Sequence, residues 1–316
     1  MAGGGESKKA IYAALFGNLA IAISKLFAAL FTGSTSMWAE TYHSFSDTFN
    51  QVLLLVGVKI SKKEANEKYP FGYGREQYFW SFVVAILIFG ISGVLSLQHG
   101  IDYFLSDHET HEVKNYIVNY VILAIAFVFE AYSLRVAFRI FRKRIEERGE
   151  KLTLPVLFTE LKENKDLVLT TVIVEDTAAL LGILIAVVAL VLSDFTGNPA
   201  FDAIGSLLIG IVLMGFALFL ARENRGMLVG EAMSKRELKK IFDIISNISE
   251  VEKIKSIRTM QLAAEDVLIA IEVSLIENLS TVTIDSVIDN IENKVKEAIP
   301  YASHSKIYVE LGQENN

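Results

Sequence analysis

Apolar residues dominate six stretches of the chain, at about 11–32, 36–59, 78–99, 115–140, 167–192 and 201–221. Each approaches or exceeds the roughly 20 residues that a helix needs to cross a bilayer. Beyond about residue 226 the pattern changes. Residues 234–248 repeat apolar positions at helical spacing with their charges on one side, and 254–262 and 267–276 read as strands joined by the turn Ala263-Ala-Glu-Asp266. A second amphipathic helix follows at 281–299, stopped by Pro300, and 306–311 is a last short strand. The prediction is an all-α six-helix transmembrane domain over 1–225. A small cytoplasmic α+β domain of α-β-β-α-β order occupies 226–316, its sheet covered on one face by two helices in a ferredoxin-like arrangement.

Composition agrees: the chain is 52% hydrophobic, too apolar for an ordinary soluble protein. It contains no cysteine, so disulfides and thiolate metal sites are excluded and any metal ligands must be His, Asp, Glu, amides or backbone. The formal charge of −7 says less than its distribution. Lys8 and Lys9 precede the first span; Lys59, Lys62, Lys63, Lys68 and Arg75 lie between spans two and three. A longer basic series from Arg139 to Lys165 lies between four and five, and Arg222 and Arg225 follow six, whereas the opposite loops hold only Lys114. The positive-inside rule then puts both termini in the cytoplasm. The first apolar run is too long for a signal-peptide core and stays as a helix. With the clear charge bias, that start points to a prokaryotic plasma membrane.

The chemistry lies in two of the spans. The second carries Glu40, His43, Asp47, Asn50 and Gln51 on one stripe, and residues three or four apart share a helix face, so His43 and Asp47 stack. An imidazole and a carboxylate so placed suit one divalent ion. The fifth span carries adjacent Glu175 and Asp176 in an otherwise apolar helix. At about 1.5 Å per residue, Asp47 lies roughly 16 Å from the outer end of its span and Asp176 roughly 15 Å from the inner end of its own. Both fall near the middle of a hydrocarbon core about 30 Å thick. Ionisable groups there cost about 2.5–3.5 kcal/mol each on insertion scales, and several acids at one level repel unless a cation or protons neutralise them.

Other polar residues read more plainly. Lys25 balances a carboxylate or snorkels; Asn18 is helix–helix glue or supports the site; Glu130 stands apart in span four, near only Tyr132 and Ser133. His99, His108 and His111 lie at or beyond the outer end of span three among acidic residues, in a solvated loop or an exit vestibule that attracts cations, and His304 lies on a protein surface. The segment opening at Asp202 is a helix start, with Gly205 and Gly210 allowing close packing.

Six spans, the His43/Asp47 pair, acid in span five and the cytoplasmic α-β-β-α-β domain resemble the cation diffusion facilitators over nearly the whole chain. The segments 43–51 (HSFSDTFNQ), 69–74 (YPFGYG) and 175–182 (EDTAALLG) are similar to the branch that includes the mitochondrial zinc exporter and its prokaryotic relatives. The resemblance implies a homodimeric exporter of divalent metal, usually zinc, that exchanges metal for protons by alternating access. It also implies a tetrahedral site with two ligands from each of spans two and five, spaced four apart. His43 and Asp47 conform. In span five Asp176 fits the second position, but Val172 stands four residues before it, so Glu175 or water completes the shell. So oxygen-rich a set also suits manganese or iron(II). Relatives with regulatory zinc in the cytoplasmic domain use several histidines there, and this one offers only His304, so it is expected to dimerise without such a site.

The expected function is therefore metal/proton antiport, with the ion as cargo, no resident cofactor, no enzymatic reaction and no nucleic-acid partner. The rival readings are a metal-responsive scaffold that moves nothing and, more remotely, a membrane hydrolase, for which neither a nucleophile nor a substrate cleft is specified.

Overall fold

The computed structural model describes residues 3–105, 113, 115–147, 153, 167–263, 266–299 and 306–312. They fall into two compact units, one built from 3–58, 79–147 and 167–224, the other from 59–78 and 225–312. Pro300, His108, His111, His304, Ala264 and Glu265 lie outside the described residues, as does most of the basic segment 148–166.

The first unit is helical. It comprises α1 (Gly3–Thr32), α2 (Thr35–Ser61), α3 (Glu76–Leu87), a π-helical turn (Ile88–Gly93), α4 (Val94–Leu105), α5 (Tyr116–Glu147), α6 (Leu167–Thr196) and α7 (Ala200–Val229). Five helical stretches are long and apolar enough to cross a membrane: Leu15–Thr32, Glu76–Leu105, Tyr116–Lys143, Leu169–Thr196 and Ala200–Val229. The sixth, α2, has the length at 27 residues, but its polar stripe dilutes its hydropathy. Helices suit this setting because they satisfy every backbone N–H and C=O internally, which lipid cannot do. Phe16, Phe27, Ile117, Val128 and Phe195 project outward from the bundle, as a lipid-facing surface requires. Inside, small residues let backbones approach. A Cβ at Gly210 would lie 3.0 Å from the Gly93 carbonyl oxygen, and one at Gly100 would lie 2.9 Å from that of Ala203, so these glycines seat α7 against the π-helical turn and α4. Gly205 meets Ala189 in the same way.

The second unit follows the expected order. Helix α8 (Lys235–Ser246) begins with a capping box in which the Ser234 hydroxyl accepts from the Glu237 amide and the Glu237 carboxylate accepts from the Ser234 amide. Strands β1 (Val251–Ala263) and β2 (Asp266–Leu275) pair antiparallel; α9 (Thr281–Ala298) then carries the chain to β3 (Lys306–Leu311), which pairs parallel with β2 in the order β1-β2-β3. Alternation in β2 puts Val267, Ile269, Ile271 and Val273 on one face, where they meet Ile241 and Ile245 of α8 and Ile291 and Val295 of α9. Truncating Ile271 to alanine leaves a cavity at the centre of this layer, and the expected cost is about 2–5 kcal/mol, read as a lowered melting temperature of the purified full chain in detergent.

The α2–α3 connection joins this second unit. The Lys306 ammonium donates to the Phe71 carbonyl at 3.3 Å and sits 6.0 Å from the centre of its ring. Gly74 lies so close to β1 that an added Cβ would stand 2.7 Å from the Leu262 carbonyl oxygen. Gly72 takes a φ of +84°, which a residue with a side chain rarely adopts.

Candidate metal centre

The position of α2 is fixed at its first turn. Ser34 is the cap, its hydroxyl accepting from the Met37 amide at 3.1 Å. The two amides before Met37 are taken by a carboxylate from another helix: Asp202 accepts from the Thr35 amide at 2.6 Å and the Ser36 amide at 3.3 Å. The hydroxyls of Ser34, Thr35 and Ser36 also donate to Asp202. Asp202 lies in the first turn of α7 as expected, but it serves α2 rather than its own helix, and it brings the α1–α2 and α6–α7 turns to one end of the bundle.

Two turns further along α2, His43 and Asp47 are both buried, with Nδ1 and Oδ1 3.4 Å apart. One more turn on, the Asn50 amide donates to Glu175 Oε1 of α6 at 3.2 Å. That bond is a direct check on the depth arithmetic, since it brings the span-two stripe and the span-five acids to one level. Glu175 is the acid that faces α2, while Asp176 turns toward α5 and accepts from the Ser133 hydroxyl at 2.7 Å. Glu130 is buried in α5, one turn from Ser133.

The stripe on α2 divides. Glu40 pairs with Lys25 of α1 at 2.7 Å, both side chains wholly inaccessible, which is the balancing role expected for the lysine. Gln51 is half-buried at the edge. His99 departs from its expectation. Helix α4 continues to Leu105, so His99 is not in a loop; it packs against Trp38 and Tyr42 of α2, with ring centres 5.5 and 6.0 Å away and its Nδ1 3.4 Å from the Tyr42 hydroxyl. Sequence reasoning missed Ser133 as a partner of Asp176, although its place one turn from Glu130 on the same face was a usable signal.

Five carboxylates (Glu40, Asp47, Glu130, Glu175 and Asp176) thus gather in the bundle with a single ammonium, that of Lys25, among the described residues. Among those residues, neither ring nitrogen of His43, nor Asp47 Oδ1, nor Asn50 Oδ1 has a hydrogen-bond partner. Buried polar atoms are rarely left unpaired, so a cluster of them needs a reason, and a bound cation is one. The donor types, one imidazole and several carboxylates, fit zinc and harder divalent ions alike. No three His, Asp or Glu groups among the described residues converge tightly enough to hold an ion as they stand. Closure around one requires Asp176 to leave Ser133, or Glu175 to swing from Asn50 toward Asp47.

The family model for the cation efflux transmembrane domain matches residues 11–229, and that for the cytoplasmic domain of cation efflux proteins matches 233–311. The chain is 30% identical over 238 residues to the mitochondrial proton-coupled zinc antiporter SLC30A9 of Homo sapiens, covering 75% of this chain and 40% of that protein. It is 30% identical over 250 residues to metal tolerance protein C4 of Arabidopsis thaliana, covering 79% of this chain and 53% of that protein. With magnetosome protein MamB of Magnetospira sp. (strain QH-2) it shares 25% over 291 residues, 92% of this chain and 90% of the relative. The chain therefore spans about two fifths of the length of the SLC30A9 antiporter but nearly all of MamB. Two family models covering most of its length make this multi-pass membrane protein a member of the cation efflux family.

Proposed function

We propose that the protein exports divalent metal, zinc foremost, in exchange for protons, by alternating access to a site formed by His43 and Asp47 of α2 with Glu175 and Asp176 of α6. The observation that carries this reading is the set of unpaired donors on His43 and Asp47, set beside acids of α6 near mid-membrane. Similarity to a proton-coupled zinc antiporter supports zinc and protons as the exchanged ions, and similarity to a metal tolerance protein supports a metal cargo. Each ligand binds metal only when deprotonated, so loading the ion expels protons and returning protons expel the ion. The lysine and arginine bias supports cytoplasmic termini, in our reading at a prokaryotic plasma membrane, and the matched cytoplasmic domain supports a homodimer.

The test is flux into proteoliposomes with zinc, manganese, iron(II) and cadmium, each with and without a proton gradient. Saturable zinc flux with counter-movement of protons is the expected result. Preference for manganese or iron(II) would reassign the cargo within the same mechanism, because the donor set is rich in oxygen. Binding at equilibrium with no flux for any metal would establish a non-transporting scaffold instead.

A further inference from the structure

Glu40 sits three residues before His43 on the same face of α2, about 4.5 Å nearer the α1–α2 turn. Its side chain is wholly buried, with Oε2 2.7 Å from the Lys25 ammonium, yet Oε1 has no hydrogen-bond partner among the described residues. A buried ion pair that serves only to hold helices together offsets its desolvation by satisfying the remaining lone pairs. Here one carboxylate oxygen is left over. It points at Gly182 of α6, two turns beyond Glu175, where any Cβ would collide with it. The helix that carries the acids of the site therefore meets Glu40 with bare backbone. Lys25 has a second partner, the Ser44 hydroxyl at 2.8 Å, so its ammonium keeps a hydrogen bond when Glu40 turns away.

We propose that Glu40 and Lys25 form the gate on the α1–α2 turn side of the metal site, Glu40 taking the divalent cation from His43 and Asp47 on its way out and Lys25 displacing it. This rests on the transport reading above. Glu40, buried one turn nearer that end than His43, is the next carboxylate on the face of α2 that carries the site. Binding to Glu40 draws the carboxylate from Lys25, which is left on Ser44 close to the ion. Repulsion between the ammonium and the divalent cation then drives the ion onward, and re-formation of the Lys25–Glu40 pair closes the path behind it. A fixed internal cation thus acts as a competitor that never leaves the protein.

A charge swap separates this role from a purely structural one. In the double variant Lys25→Glu/Glu40→Lys the pair can re-form, but the carboxylate moves to α1 and the ammonium to the path. The neutral double variant Lys25→Met/Glu40→Met keeps the bulk and removes both charges, and it carries the test alone if the swap does not fold. For the full-length protein in liposomes, zinc flux is expected to fall in either folded variant at least about tenfold further than equilibrium zinc affinity does. Flux within about twofold of wild type in a folded variant would overturn the gate and leave the transport reading standing. Absence of flux in the wild-type protein would overturn both.

Discussion

Replacing Asp47 with alanine is expected to abolish metal flux while leaving the protein folded. Asp47 is 9% exposed and lies one turn before Asn50, which bonds Glu175 across the α2–α6 contact, so its loss removes one of the two α2 donors and the only carboxylate of that pair. Removing one charged member of a buried ion pair costs about 3–5 kcal/mol, which at 1.4 kcal/mol per decade is a loss of at least about 100-fold in affinity. His43→Ala is expected to have a comparable effect on affinity, since it removes the other α2 donor, 3.4 Å from Asp47. Folding is expected to survive both changes because, among the described residues, the His43 ring nitrogens and Asp47 Oδ1 have no hydrogen-bond partner to strand. Equilibrium zinc binding and proteoliposome flux, with a melting curve in detergent as the control, check all three statements. Wild-type flux in either variant would move the site elsewhere. Glu175→Gln and Asp176→Asn extend the test to α6: the variant with the larger loss of affinity identifies which acid closes on the ion.

The common level of the α2 stripe and the α6 acids was legible in the sequence because two independent regularities, helix periodicity and helix rise, are rigid. They gave the level of His43, Asp47 and the span-five acids before any packing was known, and the Asn50–Glu175 bond falls at that level. The facing of Glu175 and Asp176 was not legible. A helical wheel separates the two acids by about 100° but does not say which neighbour stands on which side; the Ser133 hydroxyl of α5 does. His99 failed for a related reason. Apolar character fades near residue 99, but α4 is extended by contacts with Trp38 and Tyr42, more than fifty residues earlier. In the second unit the strand at 306–311 agrees residue for residue with β3, because it is short, alternating and bounded on both sides. The aromatic and glycine segment 69–74 carried a family resemblance but no hint that it packs on β1 and β3, since that contact joins residues 235 positions apart.

Asp202→Ala is expected to be the most destabilising single substitution in the bundle. Helix α2 begins with amides at Thr35, Ser36 and Met37 that have no carbonyl within their own helix. Ser34 satisfies the last of them, and Asp202 satisfies the other two along with three hydroxyls. Hydrogen bonds to a charged group are worth about 1.5–3 kcal/mol each, and here their loss strands buried donors that lipid cannot rescue. The negative charge also complements the positive end of the α2 dipole. Even with strong non-additivity the loss exceeds about 4 kcal/mol, which is most of the stability of a typical domain. Asp202→Asn keeps the acceptor oxygen but not the charge and should fall between the two, so the series Asp, Asn, Ala ranks melting temperature in detergent in that order. The consequence reaches the metal site through geometry. His43 stands eight residues from Thr35, about 12 Å along the axis, and any fraying of the first turn lets it drift relative to α6. Asp202→Asn protein that remains folded should therefore bind zinc more weakly although residue 202 touches no ligand. Unchanged melting and unchanged affinity in the alanine variant would mean that α2 is held by its packed face rather than by its cap.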